Sequence, residues 1–153
     1  MQPYFRDAVR GDLAAIAAIC RPTSSSDDTP AGVPSMALAG YRDALAEIDR
    51  TPGSYVLVAE YDSQIVAFTQ LLAYRQLHDR GARVAQLTAL HVAEPYRASG
   101  IGNLLLDHAA WRAMELGCRR LQVMSSTTAS DEHLFWERSG FIQLERGYVR
   151  SLG

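Results

Sequence analysis

A chain of 153 residues, 48% of them hydrophobic, can bury most of its unfolded surface in one core, so a single domain over residues 1–153 is expected. The formal charge of −2, with all 15 basic residues arginine, argues against a nucleic-acid footprint. No apolar run approaches the roughly 18–20 residues of a membrane span, residues 1–7 lack the apolar centre of a secretory signal, and two cysteines, Cys20 and Cys118, build neither a disulfide framework nor a metal site. A cytoplasmic protein with no membrane partner and no metal is the expectation.

The elements read as one strand, two helices, a strand meander and then β-α-β units. Asp12 can start a helix carrying Leu13, Ile16, Ile19 and Cys20 at helical spacing. The Ser-, Thr-, Pro- and Asp-rich stretch from Pro22 to Pro34 reads as a loop. Ser35 can cap a second helix with Leu38, Tyr41, Leu45 and Ile48 on one face, stopped by Thr51-Pro52-Gly53. Tyr55 to Tyr61 and Gln64 to Tyr74 read as strands of a hairpin turning at Asp62-Ser63, and Arg83 to Ala93 as a third strand beyond a polar loop. The helix from Ile101 is expected to turn Leu104, Leu105, Ala109, Ala113 and Leu116 inward and to end at Gly117. Arg119 to Ser125 is then a parallel strand, Asp131 to Ser139 a helix closed by Gly140, and Phe141 to Leu152 a last strand or strand pair.

The strongest chemical signal is Arg97-Ala98-Ser99-Gly100-Ile101-Gly102, lying between the third strand of the meander and a helix. Two glycines let the backbone turn tightly and approach an anion, and the free N–H groups of the helix start point at it, aided by the helix dipole. A Walker loop needs Gly-Lys-Ser/Thr, whereas Gly102 is followed by Asn103 and the chain has no lysine. A dinucleotide fold needs a third glycine and an acidic residue on the next strand, and Arg119 to Met124 has none.

With Leu90-His91-Val92-Ala93-Glu94-Pro95-Tyr96 upstream and Phe135-Trp136-Glu137-Arg138-Ser139-Gly140-Phe141 downstream, this turn resembles the GNAT superfamily of acyl-CoA-dependent N-acetyltransferases. The pyrophosphate signature Arg/Gln-x-x-Gly-x-Gly/Ala is met by Arg97, Gly100 and Gly102. The resemblance implies an α/β (α+β) fold. Its single mixed, mostly antiparallel sheet has six or seven strands with four helices, and a splayed parallel pair forms the CoA cleft. It also implies acetyl-CoA as cosubstrate, no metal, and, by family habit, a homodimer. By position, the backbone of Leu90, His91 and Val92 follows the acetyl group and pantetheine, with the Leu90 N–H as oxyanion donor. Arg97, Ala98, Ser99, Gly100, Ile101, Gly102 and Asn103 take the pyrophosphate, and Ser126 is the closest match to the Asn that contacts pantetheine in relatives.

Acid and base groups depart from the family's pattern. The Glu that many relatives place eleven positions before the signature Arg is Gln86, a carboxamide that cannot accept a proton. Thr88 lies two residues on and, by the strand period, shares its face, so the two can order a water that receives the proton. His91 is the alternative base, its ordinary pKa near 6.5 suiting the task, although its alternation with Leu90 and Val92 can turn it away. The usual tyrosine acid is Trp136, whose indole donates a hydrogen bond without losing a proton. His133, in a segment resembling the Asp-Ala-His-x-Phe-Tyr run of small-molecule amine acetyltransferases, reads as a packing or CoA-adjacent residue. His78 and His108 have no constellation around them, and Tyr148 can face the acceptor or the core.

Two classes of function follow. One is an N-acetyltransferase moving acetyl from acetyl-CoA to a primary amine, by direct attack in a ternary complex. The other is a non-catalytic acyl-CoA-binding or regulatory domain, which Gln86 and Trp136 favour slightly. Among acceptors, a protein N-terminus is the alternative to a small molecule. Gln122-Val123-Met124-Ser125-Ser126-Thr127 stands where N-terminal acetyltransferases carry a Glu-Val-Arg-x-Ser-Asn-like run, and Asp27, Asp28 and Tyr41 at the expected acceptor mouth suit a small cationic amine.

Overall fold

The computed structural model describes residues 2–20, 35–124, 130–144 and 150–152. Its elements run β1 (Tyr4–Asp7), α1 (Leu13–Ile19), α2 (Ser35–Arg50), β2 (Ser54–Tyr61), β3 (Gln64–Gln76), β4 (Ala82–Val92), α3 (Ile101–Glu115), β5 (Leu121–Val123) and α4 (Ser130–Arg138). Among the described residues five strands form one mixed sheet in sequence order, antiparallel from β1 to β4 and parallel between β4 and β5. The family resemblance implies six or seven, and residues 145–149 of the expected last strand lie outside the described residues. Phe141 to Leu144 is not strand, and Tyr148 lies outside the described residues, as do Asp27, Asp28 and Ser126.

Each face of the sheet is covered by two helices, because alternate strand residues are apolar on both sides. On one face Leu57, Leu71, Ala85 and Leu87 pack against Ile101, Leu105, Leu106 and Ala109 of α3 and Trp136 of α4. On the other, Val58 and Phe68 pack against Leu13, Ile16 and Leu45, with Tyr41 and Leu38 at the margin. Cys118 borders the first cluster and Cys20 the second, so the sheet separates the two thiols. In α3 the three consecutive leucines leave the helix phase open. The structure buries Leu105 and Leu106 and leaves Leu104 exposed, and the helix turns inward from Ile101 rather than from the expected Leu104.

The hairpin turn falls on Asp62 and Ser63 as expected, both at positive φ, the conformation a two-residue turn between twisted strands requires. Asp12 directly precedes α1, but its carboxylate does not cap that helix. It accepts the Val9 N–H at 2.8 Å, closing the preceding 3-10 turn, and takes both terminal nitrogens of Arg6 at 2.7 and 3.0 Å. Arg6 also donates to Glu60 through Nε and Nη2. This joins β1, β2 and the start of α1.

The Arg6 guanidinium holds the buried Asp12 carboxyl below its ordinary value against the opposing cost of burial, helped by the Val9 amide. A depressed folded pKa contributes stability that is present above the unfolded value of about 4 and is lost as pH falls through the folded one. Arg6→Met should therefore cost about 2–3 kcal/mol at pH 7, because it strands a buried carboxylate. Urea unfolding repeated from pH 7 down to pH 3 should show that cost shrinking below pH 4, and a pH-independent difference would show that Asp12 does not carry it.

Candidate active site

The parallel ladder between β4 and β5 joins only Ala85 to Leu121, Gln86 to Gln122 and Leu87 to Val123. Among the described residues, Thr88 to Val92 has no strand on that side. The same stretch is displaced in phase by a bulge, since Leu71 faces Leu87 and Gln70 faces Ala89, leaving Thr88 unpaired. The hydrogen bonds record the displacement. Before the bulge the Ala85 N–H donates to Arg120 on the β5 side, and beyond it the Ala93 N–H donates to Val66 on β3. Strict alternation would send these two odd-numbered amides to the same side. After the bulge the amides of Leu90 and Val92 therefore face the open edge, consistent with the Arg97 Nε reaching the Val92 carbonyl there at 3.4 Å.

The open edge forms one wall of a cleft of about 500 Å³, within the usual size of a ligand site. Leu90, His91 and Val92 meet Arg97, Ala98, Gly100, Gly102 and Asn103 in it. Ser99 and Ile101 belong to the same turn. Gly100 is the N-cap of α3 at φ +88°, and Ala98 also has positive φ. Intrahelical bonding begins with the Leu104 N–H to the Gly100 carbonyl, so the helix geometry leaves the N–H groups of Gly102 and Asn103 to point out of its end. The Ser99 hydroxyl donates to the Tyr96 carbonyl and lies 3.4 Å from the Ile101 amide, which stiffens the turn. Ile101 turns its side chain into the core.

α4 supplies the facing wall through Glu132, Phe135 and Trp136. Trp136 is buried, packed edge-on against Phe135 and Phe141, and its Nε1 lies 3.4 Å from Glu132 Oε1. His133 lies off the cleft, 3.1 Å from Glu137 one turn along the exposed side of the helix. Glu132 and Trp136 are four residues apart and share a helix face, a spacing in the sequence that would have exposed Glu132 as a cleft residue. Tyr96, Val123 and Met124 also line the cleft and were not singled out from the sequence.

The candidate acid and base positions separate. Thr88 and His91 line the cleft and Gln86 does not. Gln86 pairs with Gln122, whose amide donates to the Tyr74 hydroxyl at 2.8 Å. Gln86 and Thr88, expected on one face by the strand period, are separated by the bulge. His91 stacks on Phe68 at 5.3 Å between ring centres. Loss of hydration pushes its pKa below the ordinary imidazole value; Glu132 pulls the other way and Arg97 adds to the depression. The ring is therefore neutral at pH 7 and can accept a proton.

A second cavity of about 580 Å³ adjoins the first, sharing Asn103 and Phe135 and adding Arg138 and Ser139. Ser139 Oγ lies 3.2 Å from Asn103 Oδ1 and thereby ties α4 to the start of α3. No cluster of three His, Cys, Asp or Glu able to hold a metal occurs among the described residues, and no described helix is long and apolar enough to cross a membrane.

The sequence model of the acetyltransferase (GNAT) family matches residues 20–141. The chain belongs to this family. No functionally curated protein matches this GNAT chain in sequence. In fold it is similar to a transcriptional regulator from Bacillus halodurans C-125, with TM-score 0.86 and 24% identity over 99% of this chain and 100% of that one. It is also similar to glucosamine-6-phosphate N-acetyltransferase from Arabidopsis thaliana, with TM-score 0.78 and 12% identity over the full length of both. A third likeness is to an aminoglycoside antibiotic 6'-N-acetyltransferase from Acinetobacter baumannii, with TM-score 0.73 and 18% identity over 99% of this chain and 100% of that one. At these identities the likeness establishes the GNAT fold and leaves the substrate open.

Proposed function

We propose that this GNAT protein transfers the acetyl group of acetyl-CoA to the primary amine of a small molecule, by direct attack in a ternary complex. The observation that carries the reading is the junction, in one cleft, of the unpaired β4 edge with the helix-start turn at residues 97–103. An extended amide chain such as pantetheine needs strand-like partners, which the Leu90 and Val92 backbone offers. A pyrophosphate needs converging N–H donors and positive charge, which Gly102, Asn103 and Arg97 offer. CoA extends beyond the first cavity, and the adjoining one with Arg138 gives its nucleotide end room and a cation. The donor set therefore fits the cosubstrate.

Acetyl-CoA supplies an activated acyl group. The Leu90 N–H is fixed by the sheet at the open edge and stabilises negative charge developing on the acyl oxygen without having to reorganise. Trp136 closes the thioester end and excludes water. Neutral His91, with Thr88 and ordered solvent, takes the amine's proton. The departure of Gln122 to Thr127 from the run found in N-terminal acetyltransferases supports a small acceptor over a peptide.

The test is thiol release from acetyl-CoA across a panel of polyamines, amino sugars, aminoalkylphosphonates and peptides, with CoA binding measured by calorimetry. Turnover of small amines is expected. Turnover confined to peptides would sink the acceptor assignment, and CoA binding with no turnover of anything would assign a non-catalytic acyl-CoA-binding role.

A further inference from the structure

We infer that Glu132 is the acceptor-side carboxylate of this site, which receives a cationic primary amine as its ammonium ion and works with His91 to remove the proton before attack. The inference rests on the acetyl-transfer reading above and adds to it a residue and a substrate charge. Glu132 is half-buried on the α4 wall of the cleft that holds the Leu90 edge and His91. Its Oε1 lies 3.4 Å from the indole nitrogen of Trp136, a long contact between residues four apart on one helix that anchors the carboxylate from its own element.

Glu132 is the one acidic residue in the described lining of that cleft. The His91 ring stacks on Phe68 of β3, and Arg97 from the phosphate turn and Glu132 from α4 share the lining of the cleft with it. Arg97 repels an approaching ammonium and Glu132 attracts it. The cation is thereby drawn to the α4 side, away from the turn that suits the pyrophosphate. Such a carboxylate, in a half-buried cleft, binds an ammonium more strongly than a surface acid would.

Written in full, the ammonium gives one proton to the neutral His91 imidazole, and the Glu132 carboxylate stabilises the imidazolium that results. The freed nitrogen lone pair forms the C–N bond to the thioester carbon. The C–S bond breaks, sulfur leaves with its electron pair, and the second proton lost by nitrogen ends on that sulfur. Ammonium and acetyl-CoA thus become amide, free thiol and one proton, which His91 releases to solvent.

The experiment compares Glu132→Gln with the unaltered protein on two acceptors, an aliphatic diamine that is protonated at pH 7 and an aromatic monoamine that is already neutral there. CoA affinity is measured in parallel. The variant is expected to lose kcat/KM for the diamine at least about 10-fold more than for the aromatic amine, the scale of one general-base or charge interaction, while CoA affinity changes little. Raising the pH above the diamine's own pKa should narrow that difference. Equal losses on both amines, as from a merely structural role of Glu132, or no loss on either, would overturn the inference and leave acetyl transfer standing. Failure of the unaltered, CoA-binding protein to acetylate any amine would overturn the transferase reading and the inference together.

Discussion

Gly102→Val should abolish CoA binding in a protein that still folds. A Cβ at Gly102 would meet Val92 Cγ2 at 3.4 Å and the Phe135 ring at 3.9 Å, contacts that the surrounding side chains tolerate. The helix gains, since glycine is the poorer helix former. The added γ-methyls, however, stand at the mouth of the helix N-terminus, where the cleft must admit an anion to hydrogen-bonding distance. A loss of at least about 100-fold in affinity, roughly 2.7 kcal/mol, is the expected calorimetric result, with an unchanged circular dichroism spectrum. Undiminished binding by the folded variant would move the pyrophosphate away from this turn. Gly100→Ala should behave differently. Nothing lies within 4 Å of its Cβ, and only the positive φ resists the methyl, so a cost of about 1 kcal/mol in stability and weaker but measurable CoA binding are expected.

The largest effect on stability should come from Gly53→Ala, at the entry to β2. Gly53 has φ +87°, and a Cβ there would drive into the Ala73 carbonyl oxygen of β3. Neither partner can yield cheaply, because Ala73 is buried and its N–H donates to the Gly53 carbonyl at 2.7 Å. Strained backbone and a backbone clash together should cost at least about 3 kcal/mol, or a fall of roughly 6–12 °C in Tm for a chain of this size. A loss under about 0.5 kcal/mol would mean that the strands do not approach each other this closely.

Much of this was legible in the sequence because local chemistry and global fold agree. The Asp62-Ser63 turn, the helix beginning at Ile101 and the parallel strand after it follow from turn residues, glycines and apolar spacing. The phosphate turn was readable for the same reason, its function being carried by backbone that glycine makes possible. Three features were hidden. The leucine run at 104–106 fits more than one helix phase, and only tertiary packing selects Leu105 and Leu106. Asp12 appears from sequence as a simple cap, whereas its main partner is Arg6 on β1. The bulge at Thr88 has no composition of its own, so an alternating pattern read through it puts Gln86 and Thr88 on one face, and only the strand register separates them.

That one unpaired residue acts as a frameshift in three dimensions. Leu87 and Leu90 both pack toward α3 although an odd number of steps separates them. A strand with Thr88 deleted would restore even alternation. Leu90 would then stand two steps from Leu87, so Leu90 and Val92 would keep their places against α3, with Leu71 still opposite Leu87 and Gln70 opposite Ala89. Their amides would still face the open edge, and what the deletion removes is the local bend and added twist that a bulge gives its strand, at the point where the β4–β5 ladder ends on Leu87. Homologous chains that are one residue shorter between Gln86 and Arg97 should therefore keep the facing of these residues and lose the bend that parts β4 from β5, so gap placement in this segment bears on the width of the cleft even where every glycine of the turn remains.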